Sequence, residues 1–311
     1  MSRVTMPATS RRQLPIGDEI FLDHVGHFVR DAQAASRALR RAGFAPTPVS
    51  IQANKEPSTG RLAPTGLGNV TAMFARGYME VLFKNSDTTL AGELDAALAR
   101  RAGLHLAAFS VADAAAARER LAGAGFAVRE LVRMQRPVET ENGPGLAAFT
   151  ITRVKPMAMP EGRIQLLTHH TEDAVWQPRW LSHANSVCEL IDVVIAVGDV
   201  EEAAQRFARF TGRAATFTPG GALIRLDRGG IYLVSHDRAT EKLPEVPVTS
   251  LPFMIGYALR VESLAAAEAA VNGADLEWRA FDDGIVATFP AELGQGAWFF
   301  VEAAERLPWR G

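Results

Sequence analysis

The chain has a single cysteine, almost no excess of charge and no long apolar run. Cys188 cannot close a disulfide within the chain, and its place in the apolar stretch VCELIDVVIAV indicates an ordinary core residue. The formal net charge of −2, from 33 basic and 35 acidic residues, argues against partners bound by charge, such as nucleic acid or an anionic membrane surface. No apolar run approaches the roughly 20 residues that cross a bilayer, and the first residues lack the apolar core of a signal peptide. We therefore expect a cytoplasmic protein with no nucleic acid or membrane partner.

Length and composition indicate a globular protein with about two domains. The chain has 311 residues, of which 48% are hydrophobic and 22% charged, which is enough to bury a sizeable core. Residues 1–17 contain Arg, Ser, Pro and Gln without periodicity, so we predict a flexible arm there.

A pattern of apolar strand, capping residue and helix occurs four times. The copies are FLDHVGHFVRDAQAASRALRRAGF, HLAAFSVADAAAARERLAGAGFAV, DVVIAVGDVEEAAQRFARFTGRAA and GYALRVESLAAAEAAVNGADLEW. In each copy, apolar residues first run or alternate as in a strand and then recur at helical spacing. Asp31, Asp113, Asp199 and Ser263 stand where a side-chain oxygen can accept from the free N–H groups of the first helical turn.

Further strand-like segments follow each helix, so each repeat is predicted to be a βαβββ unit. Four such units fill residues 18–303, and their spacing of about 80 residues is too long for a solenoid. We therefore predict an α+β fold in which the units pair into two curved-sheet domains. The first domain covers residues 18–174 and the second residues 187–311, joined by a linker at residues 175–186.

Three segments of the first two units resemble the vicinal oxygen chelate superfamily, which includes glyoxalases, bleomycin-resistance proteins and extradiol dioxygenases. These segments are LDHVGHFVRDAQAA, GLGNVTAMFARGYMEVLF and HLAAFSVADAAAA, and the glyoxalase-like branch is the most similar. The resemblance implies that paired units form a cup whose floor holds a divalent metal. It also implies a small-molecule substrate or ligand, and a homodimer is compatible with it.

The resemblance implies one metal ligand on the first strand and one on the last strand of each unit. Carried over residue by residue, the first unit offers His24 and Glu80, and the second offers His105 and Gln165. Imidazole and carboxylate groups suit Fe(II), Mn(II), Zn(II) or Ni(II), whereas a glutamine oxygen binds a metal more weakly. Glutamine stands here where many metal-dependent members have glutamate, and Glu80 is the candidate catalytic residue.

The second histidine departs from the register of the first. His24 precedes the capping Asp31 by seven residues, but His105 precedes Asp113 by eight. Because side chains alternate along a strand, Leu106 is in register with His24. His105 reaches the same face only if the strand carries a bulge.

The segment between the second and third units carries candidates for ligand contact. Trp176, Arg179 and His183 lie in HHTEDAVWQPRWLSHANSV. Aromatic and proline-rich connectors usually pack between domains, but these three side chains can instead line the mouth of the cup. The polar segments at residues 50–69 and 133–145 are interpreted as loops, which either cover a pocket or form plain surface excursions.

Three functions remain open, of which the metal-assisted small-molecule enzyme is the leading prediction and the metal-free binding protein the alternative. In the first, a metal chelates neighbouring oxygens of a substrate and acts as a Lewis acid in isomerase, lyase or dioxygenase chemistry. The second is a metal-free protein that binds an apolar or aromatic compound in the same cup, as resistance proteins do; Gln165 and the register of His105 favour it. The third is a structural module whose cup is filled by its own side chains. Asp192 and Gly256 hold the first-strand positions of the last two units and offer no ligand set, so the C-terminal pair is predicted to be degenerate.

Overall fold

The computed structural model describes residues 12–56 and 58–310, and the strands of this part of the chain form two sheets. Each sheet has eight strands from two βαβββ units. The predicted α+β fold with paired units is therefore confirmed. The predicted flexible arm lies outside the described residues at residues 1–11, whereas Leu14 packs against the core of the first sheet.

The first two units close into a barrel. Its strands are β1 (Ile20–Phe28), β2 (Ser50–Lys55), β3 (Leu62–Met73), β4 (Tyr78–Lys84), β5 (Gly103–Val111), β6 (Val132–Thr140), β7 (Gly143–Arg153) and β8 (Arg163–His169). Around the barrel they follow the order β1, β4, β3, β2, β6, β7, β8, β5. Helices α1 (Ala32–Arg41), α2 (Thr89–Arg100) and α3 (Ala114–Gly123) connect them.

Strands replace the two segments interpreted as loops, so that interpretation was wrong. Residues 50–69 contain β2 and part of β3, and residues 133–145 contain most of β6 and the start of β7. Two residue pairs, Ala53 with Gln135 and Asn54 with Met134, join β2 to β6. This short antiparallel seam closes the barrel wall.

The last two units form an open sheet. After the short helix α4 (Glu172–Val175), its elements are β9 (Val187–Val197), α5 (Val200–Thr211), β10 (Ala215–Thr218), β11 (Gly221–Arg225), β12 (Gly230–Ser235), α6 (His236–Lys242), β13 (Phe253–Val261), α7 (Leu264–Gly273), β14 (Trp278–Phe281), β15 (Gly284–Thr288) and β16 (Ala297–Val301). The strand order is β10, β11, β12, β9, β13, β16, β15, β14, so β10 and β14 are the edges.

All four predicted capping residues accept hydrogen bonds from the first turn of their helices. Asp31 accepts from two backbone N–H groups at the start of α1, both at 2.9 Å. Asp113, Asp199 and Ser263 do the same for α3, α5 and α7. Each cap satisfies backbone N–H groups that the start of a helix leaves free. The caps therefore fix where each helix begins after its strand.

None of the helices in the described part of the chain is both long and apolar enough to cross a membrane.

The two sheets share one apolar core with a polar centre. Val25 of β1 and Val193 of β9 belong to the same buried cluster. Within this interface His27 is fully buried. Its Nδ1 donates to the Leu293 carbonyl at 3.0 Å, and its Nε2 lies 3.0 Å from the Tyr257 hydroxyl. These contacts fit a neutral ring, with Tyr257 donating to Nε2.

The buried neutral ring of His27 predicts a loss of stability in acid. Burial lowers its pKa to about 4, although the Leu293 carbonyl partly favours the charged form. The unfolded chain takes up this proton near pH 6.5, so the free energy of unfolding should fall as the pH drops from about 6.5 to about 4. The loss from His27 is up to about 3 kcal/mol. Urea unfolding across this range measures it.

His27→Gln should make this pH dependence shallower, while His236→Gln, at an exposed position, should not. His105 contributes a loss of the same sign, because burial lowers its pKa to about 3. A wild-type slope that His27→Gln leaves unchanged would show that His27 is not the titrating group.

Candidate functional site

A buried carboxylate on β1 fixes two imidazoles. The pairing of β1 with β5 shifts between Leu22 and His24, so Asp23 is the extra residue of a bulge. Asp23 is fully buried, and it accepts from His24 Nδ1 at 2.7 Å and from His169 Nε2 at 2.8 Å. Burial disfavours the charge, but His169 and His24 outweigh it and hold the pKa of Asp23 well below its usual range.

The structure brings His24 and Glu80 together inside the barrel. Nε2 of His24 lies 3.8 Å from Oε2 of Glu80, and its ring stacks on Tyr78 with centroids 4.4 Å apart. Oε1 of Glu80 accepts from the side-chain amides of Gln52 at 3.1 Å and Asn69 at 2.5 Å. Glu80 is thus held by two neutral donors and turns its other oxygen toward His24.

The barrel interior keeps a small cavity of about 20 Å³. This is room for about one water molecule. Its polar lining consists of His24, Gln52, Asn69, Tyr78, Glu80, Arg136, Arg153, Arg163 and Gln165. Gln165 therefore joins His24 and Glu80, but its Oε1 already accepts from Arg153 Nε at 2.8 Å.

Arg136 on β6 lines both this cavity and a larger cleft on the barrel surface. This outer cleft has a volume of about 590 Å³. Its lining residues are Thr47, Pro48, Val49, Ser50, Thr71, Arg136, Pro137, Val138, Glu139, Pro144, Ala174, Val175, Gln177, Arg179 and Trp180. Arg136 is 7% exposed, and burial lowers its pKa although Tyr78 and Glu80 partly offset this effect.

His105 does not join the other predicted ligands. Leu106 pairs with Gly26 and Leu104 with His27, so His105 is the extra residue of a bulge. Even with this bulge, Leu106 lines the interior cavity and His105 does not. The ring of His105 instead places Nε2 3.0 Å from the Arg101 carbonyl. Leu106, and not His105, therefore shares the interior face with His24, as strand alternation predicted.

The three candidates in the connecting segment have different surroundings. Arg179 lines the outer cleft and donates to the Glu139 carbonyl. Trp176 is buried against His169, with ring centroids 4.8 Å apart. His183 uses both ring nitrogens on the backbone, near Met73 O at 2.7 Å and Ala45 N at 3.0 Å. Only Arg179 is thus placed at a cleft, and His183 has a structural role.

The residues of the cavity do not fit the divalent metal that the resemblance implies. A catalytic metal is typically held by three protein ligands, and the cavity offers His24 and Glu80. Gln165 is engaged by Arg153, and the neighbouring guanidinium groups repel a cation. Within residues 12–56 and 58–310, no group of three or more His, Cys, Asp or Glu side chains is placed to hold a metal.

Sequence reasoning missed Asp23 and the arginines of the interior. Asp23 precedes His24 directly, and strict alternation places it on the opposite face; the bulge reverses that. Arg136 lies in a segment interpreted as a loop. A signal was present, since VRMQRPVET alternates Met134, Arg136 and Val138 as one face of a strand.

The corresponding position of the third unit is closed by the end of the chain. Asp192 is fully buried. Its carboxylate accepts from Trp309 Nε1 at 2.8 Å and from Arg310 Nε and Nη2 at 2.8 and 2.6 Å. Trp309 also stacks on Tyr232, with centroids 4.9 Å apart. The carboxylate of Asp192 is thus used by the chain itself.

A family model described as a glyoxalase-like domain matches residues 22–211, which is more than half of the chain. Comparison with curated protein sequences gives no significant match.

Solved structures with the same fold share little sequence with this chain. A hypothetical protein from Staphylococcus aureus has a TM-score of 0.63 at 8% identity and covers 90% of this chain and 98% of its own. The Mn(II)-bound glyoxalase from Novosphingobium aromaticivorans has a TM-score of 0.55 at 12% identity, covering 92% and 82%. A mutant 4-hydroxymandelate synthase from Streptomyces coelicolor has a TM-score of 0.51 at 14% identity, covering 91% and 92%. At these identities the likeness shows the fold alone.

Asp23→Asn should destabilise the protein strongly. The substitution removes the charged acceptor that two buried imidazoles share, and each hydrogen bond to a charged group contributes about 1.5–3 kcal/mol. Urea unfolding near neutral pH measures the change. Asp87→Asn, which removes an exposed carboxylate paired with Lys84, is the control and should cost less than about 0.5 kcal/mol. Equal effects of the two substitutions would refute the role assigned to Asp23.

Proposed function

The chain belongs to the glyoxalase-like domain family, and we propose that its N-terminal barrel is a metal-free binding site for a small organic acid. The family match confirms the resemblance to the vicinal oxygen chelate superfamily, and the glyoxalase and 4-hydroxymandelate synthase structures share the fold. In this proposal, the acid group pairs with Arg136 and the rest of the molecule lies in the outer cleft.

The observation that carries the proposal is the guanidinium of Arg136. Arg136 is 7% exposed, and although the charge of Glu80 partly offsets its burial, none of the described residues accepts a hydrogen bond from it. A buried charge without a hydrogen-bonded partner is destabilising, and a fold tolerates it most easily where a ligand supplies the partner. A carboxylate matches a guanidinium with two parallel hydrogen bonds.

The outer cleft has a size and lining that suit the body of such a ligand. Its volume of about 590 Å³ falls within the range of roughly 300–1,000 Å³ that is typical of small-molecule sites. Pro48, Val49, Val138 and Trp180 provide apolar contact surface, and Val49 is 51% exposed. Apolar contact in the cleft and charge pairing at Arg136 together favour an amphipathic acid over a neutral or a highly polar compound.

On its inner side Arg136 faces the cavity that holds His24 and Glu80. Asp23 accepts the hydrogen bond that His24 Nδ1 donates, so Nε2 is the atom that His24 presents to the interior. From this position His24 can donate to, or accept from, a polar group of a ligand that reaches past Arg136. Glu80 and Gln165 supply further hydrogen-bonding atoms.

A metal-assisted isomerase, lyase or dioxygenase is the second candidate. One observation favours it, because an imidazole oriented by a carboxylate, as His24 is by Asp23, is a common arrangement at metal sites. Without His105 and with Gln165 engaged by Arg153, the interior lacks a third ligand of matching strength. Organic-acid binding therefore accounts for more of the site.

Arg136→Met should abolish charge-dependent binding while keeping most of the side-chain volume. We expect small aromatic carboxylates such as benzoate to bind the wild-type protein more tightly than their neutral amides such as benzamide. The variant should lose this preference, because a charge-assisted hydrogen bond contributes about 1.5–3 kcal/mol, or ~tenfold or more in Kd. Calorimetric titration of a panel of acid and amide pairs measures the preference.

Arg133→Met is the matched control, since Arg133 is exposed on the same strand. It should leave the preference intact. Arg136→Met should also leave the free energy of unfolding unchanged or raise it, because it removes a buried charge that has no hydrogen-bonded partner among the described residues. Retention of the carboxylate preference in Arg136→Met, or its absence from the wild-type protein across the panel, would contradict the proposal.

Divalent metals should not stabilise the protein through His24 and Glu80. A metal that binds the native state must raise the melting temperature by mass action. Thermal unfolding with saturating Mn(II), Fe(II), Zn(II) or Ni(II), compared with the metal-free protein, therefore tests the second candidate. A rise in melting temperature that His24→Ala abolishes would favour the enzyme over the binding protein.

A further inference from the structure

We propose a second ligand site in the barrel domain, which binds the phosphate group of a small phosphorylated compound. The site is a cleft of about 260 Å³, here called the basic cleft. Its charged side chains are Glu93, Arg100, Arg129, Arg153, Lys155 and Arg163. Five cations thus surround one carboxylate, in a chain whose overall formal charge is −2.

Separate segments of the chain bring these cations together. Glu93 and Arg100 lie on α2, Arg153 ends β7 and Arg163 begins β8. Lys155 follows β7 in the connection to β8. These charges come from segments that are distant in sequence. The fold, and not a run of basic residues, therefore creates the local concentration of positive charge.

The single carboxylate does not balance the cations. Glu93 accepts from Arg129 at 2.9 Å and lies 3.5 Å from Arg163. Nε of Arg153 donates to Gln165, which is neutral. Within residues 12–56 and 58–310, Arg100 and Lys155 form no ion pair in this cleft. The basic cleft therefore keeps a net positive charge that a bound anion can neutralise.

Burial strengthens the mutual repulsion of these groups. The side chain of Arg163 is 11% exposed and stands over the ring of Phe28, 5.1 Å from its centroid. Burial, followed by the charge of Arg163, lowers the pKa of Arg153 to about 9. Guanidinium groups that lie close together and are partly shielded from water repel one another, and an anion bound between them relieves this repulsion.

The charge and size of the basic cleft favour phosphate over the alternatives. A monocarboxylate neutralises only one charge, whereas a phosphate monoester carries nearly two and offers three acceptor oxygens to guanidinium forks. A cleft of about 260 Å³ is too small for a nucleic acid strand. Phe28, Met159 and Ile164 add an apolar wall, which suits a short organic group attached to the phosphate.

The basic cleft adjoins the site of the proposed function but does not contain Arg136. It shares Arg153 and Arg163 with the interior cavity but not Arg136. Residues on its outer side, such as Arg129 and Lys155, line neither the interior cavity nor the outer cleft. Substitutions there can test phosphate binding without changing the groups that are proposed to bind the organic acid.

Calorimetric titration with inorganic phosphate, at an ionic strength held constant with sodium chloride, tests the proposal. We expect one phosphate per chain. The double substitution Arg129→Met with Lys155→Met should raise Kd by ~tenfold or more, as expected for the loss of charge-assisted contacts. Arg209→Met, an exposed arginine on α5, and Arg136→Met should leave phosphate binding unchanged.

Glu93→Gln gives the opposite and sharper expectation. Removing the one carboxylate frees Arg129 and Arg163, so phosphate should bind more tightly than to the wild-type protein. Tighter binding cannot be explained by loss of stability in the variant. The proposal is overturned if millimolar phosphate does not bind, if the double substitution leaves Kd unchanged, or if Glu93→Gln weakens binding. Arg136→Met should lose the preference for carboxylates and still bind phosphate. Failure of the phosphate proposal can therefore be distinguished from failure of the proposed function.

Discussion

The hydrogen bonding of Asp23 to two histidines is the constraint on which the barrel interior depends. A carboxylate with no access to water is tolerated only where hydrogen-bond donors surround it, and His24 and His169 supply them. Because β5 lies between β1 and β8, this contact links two strands that do not pair directly. It also fixes which nitrogen of His24 faces the interior. The contact therefore couples three features: the bulge in β1, the tautomer of His24 and the position of β8.

The same contact decides the charge that remains inside the barrel. Asp23 accepts hydrogen bonds from the two histidines, and Oε1 of Glu80 accepts from two neutral amides. Neither carboxylate accepts a hydrogen bond from Arg136, although the charge of Glu80 partly offsets the burial of its guanidinium, and Arg153 is bonded to a neutral glutamine oxygen. An interior with this balance attracts anions and repels cations. One electrostatic argument thus accounts for the poor fit to a divalent metal and for the two anion sites proposed.

The repeat pattern was enough to predict the fold, because strand alternation, helical spacing and the capping residues agree in every unit. Alternation also placed Leu106, not His105, in register with His24, as the interior shows. The arginines could not be found in the same way. Arg136 looked like part of a polar loop, since the β2–β6 seam that makes its segment a wall joins residues distant in sequence. Whether the extra residue of a bulge turns inward, as Asp23 does, depends on its partners across the barrel.

The most direct test of the central claim is a crystal structure of the protein soaked with para-bromobenzoate, in which anomalous scattering locates the bromine. The account predicts a bromine peak in the outer cleft, near Val138 and Trp180, with the carboxylate bonded to the guanidinium of Arg136. A carboxylate bound elsewhere, or a metal ion held by His24 and Glu80 in the same crystals, would contradict it.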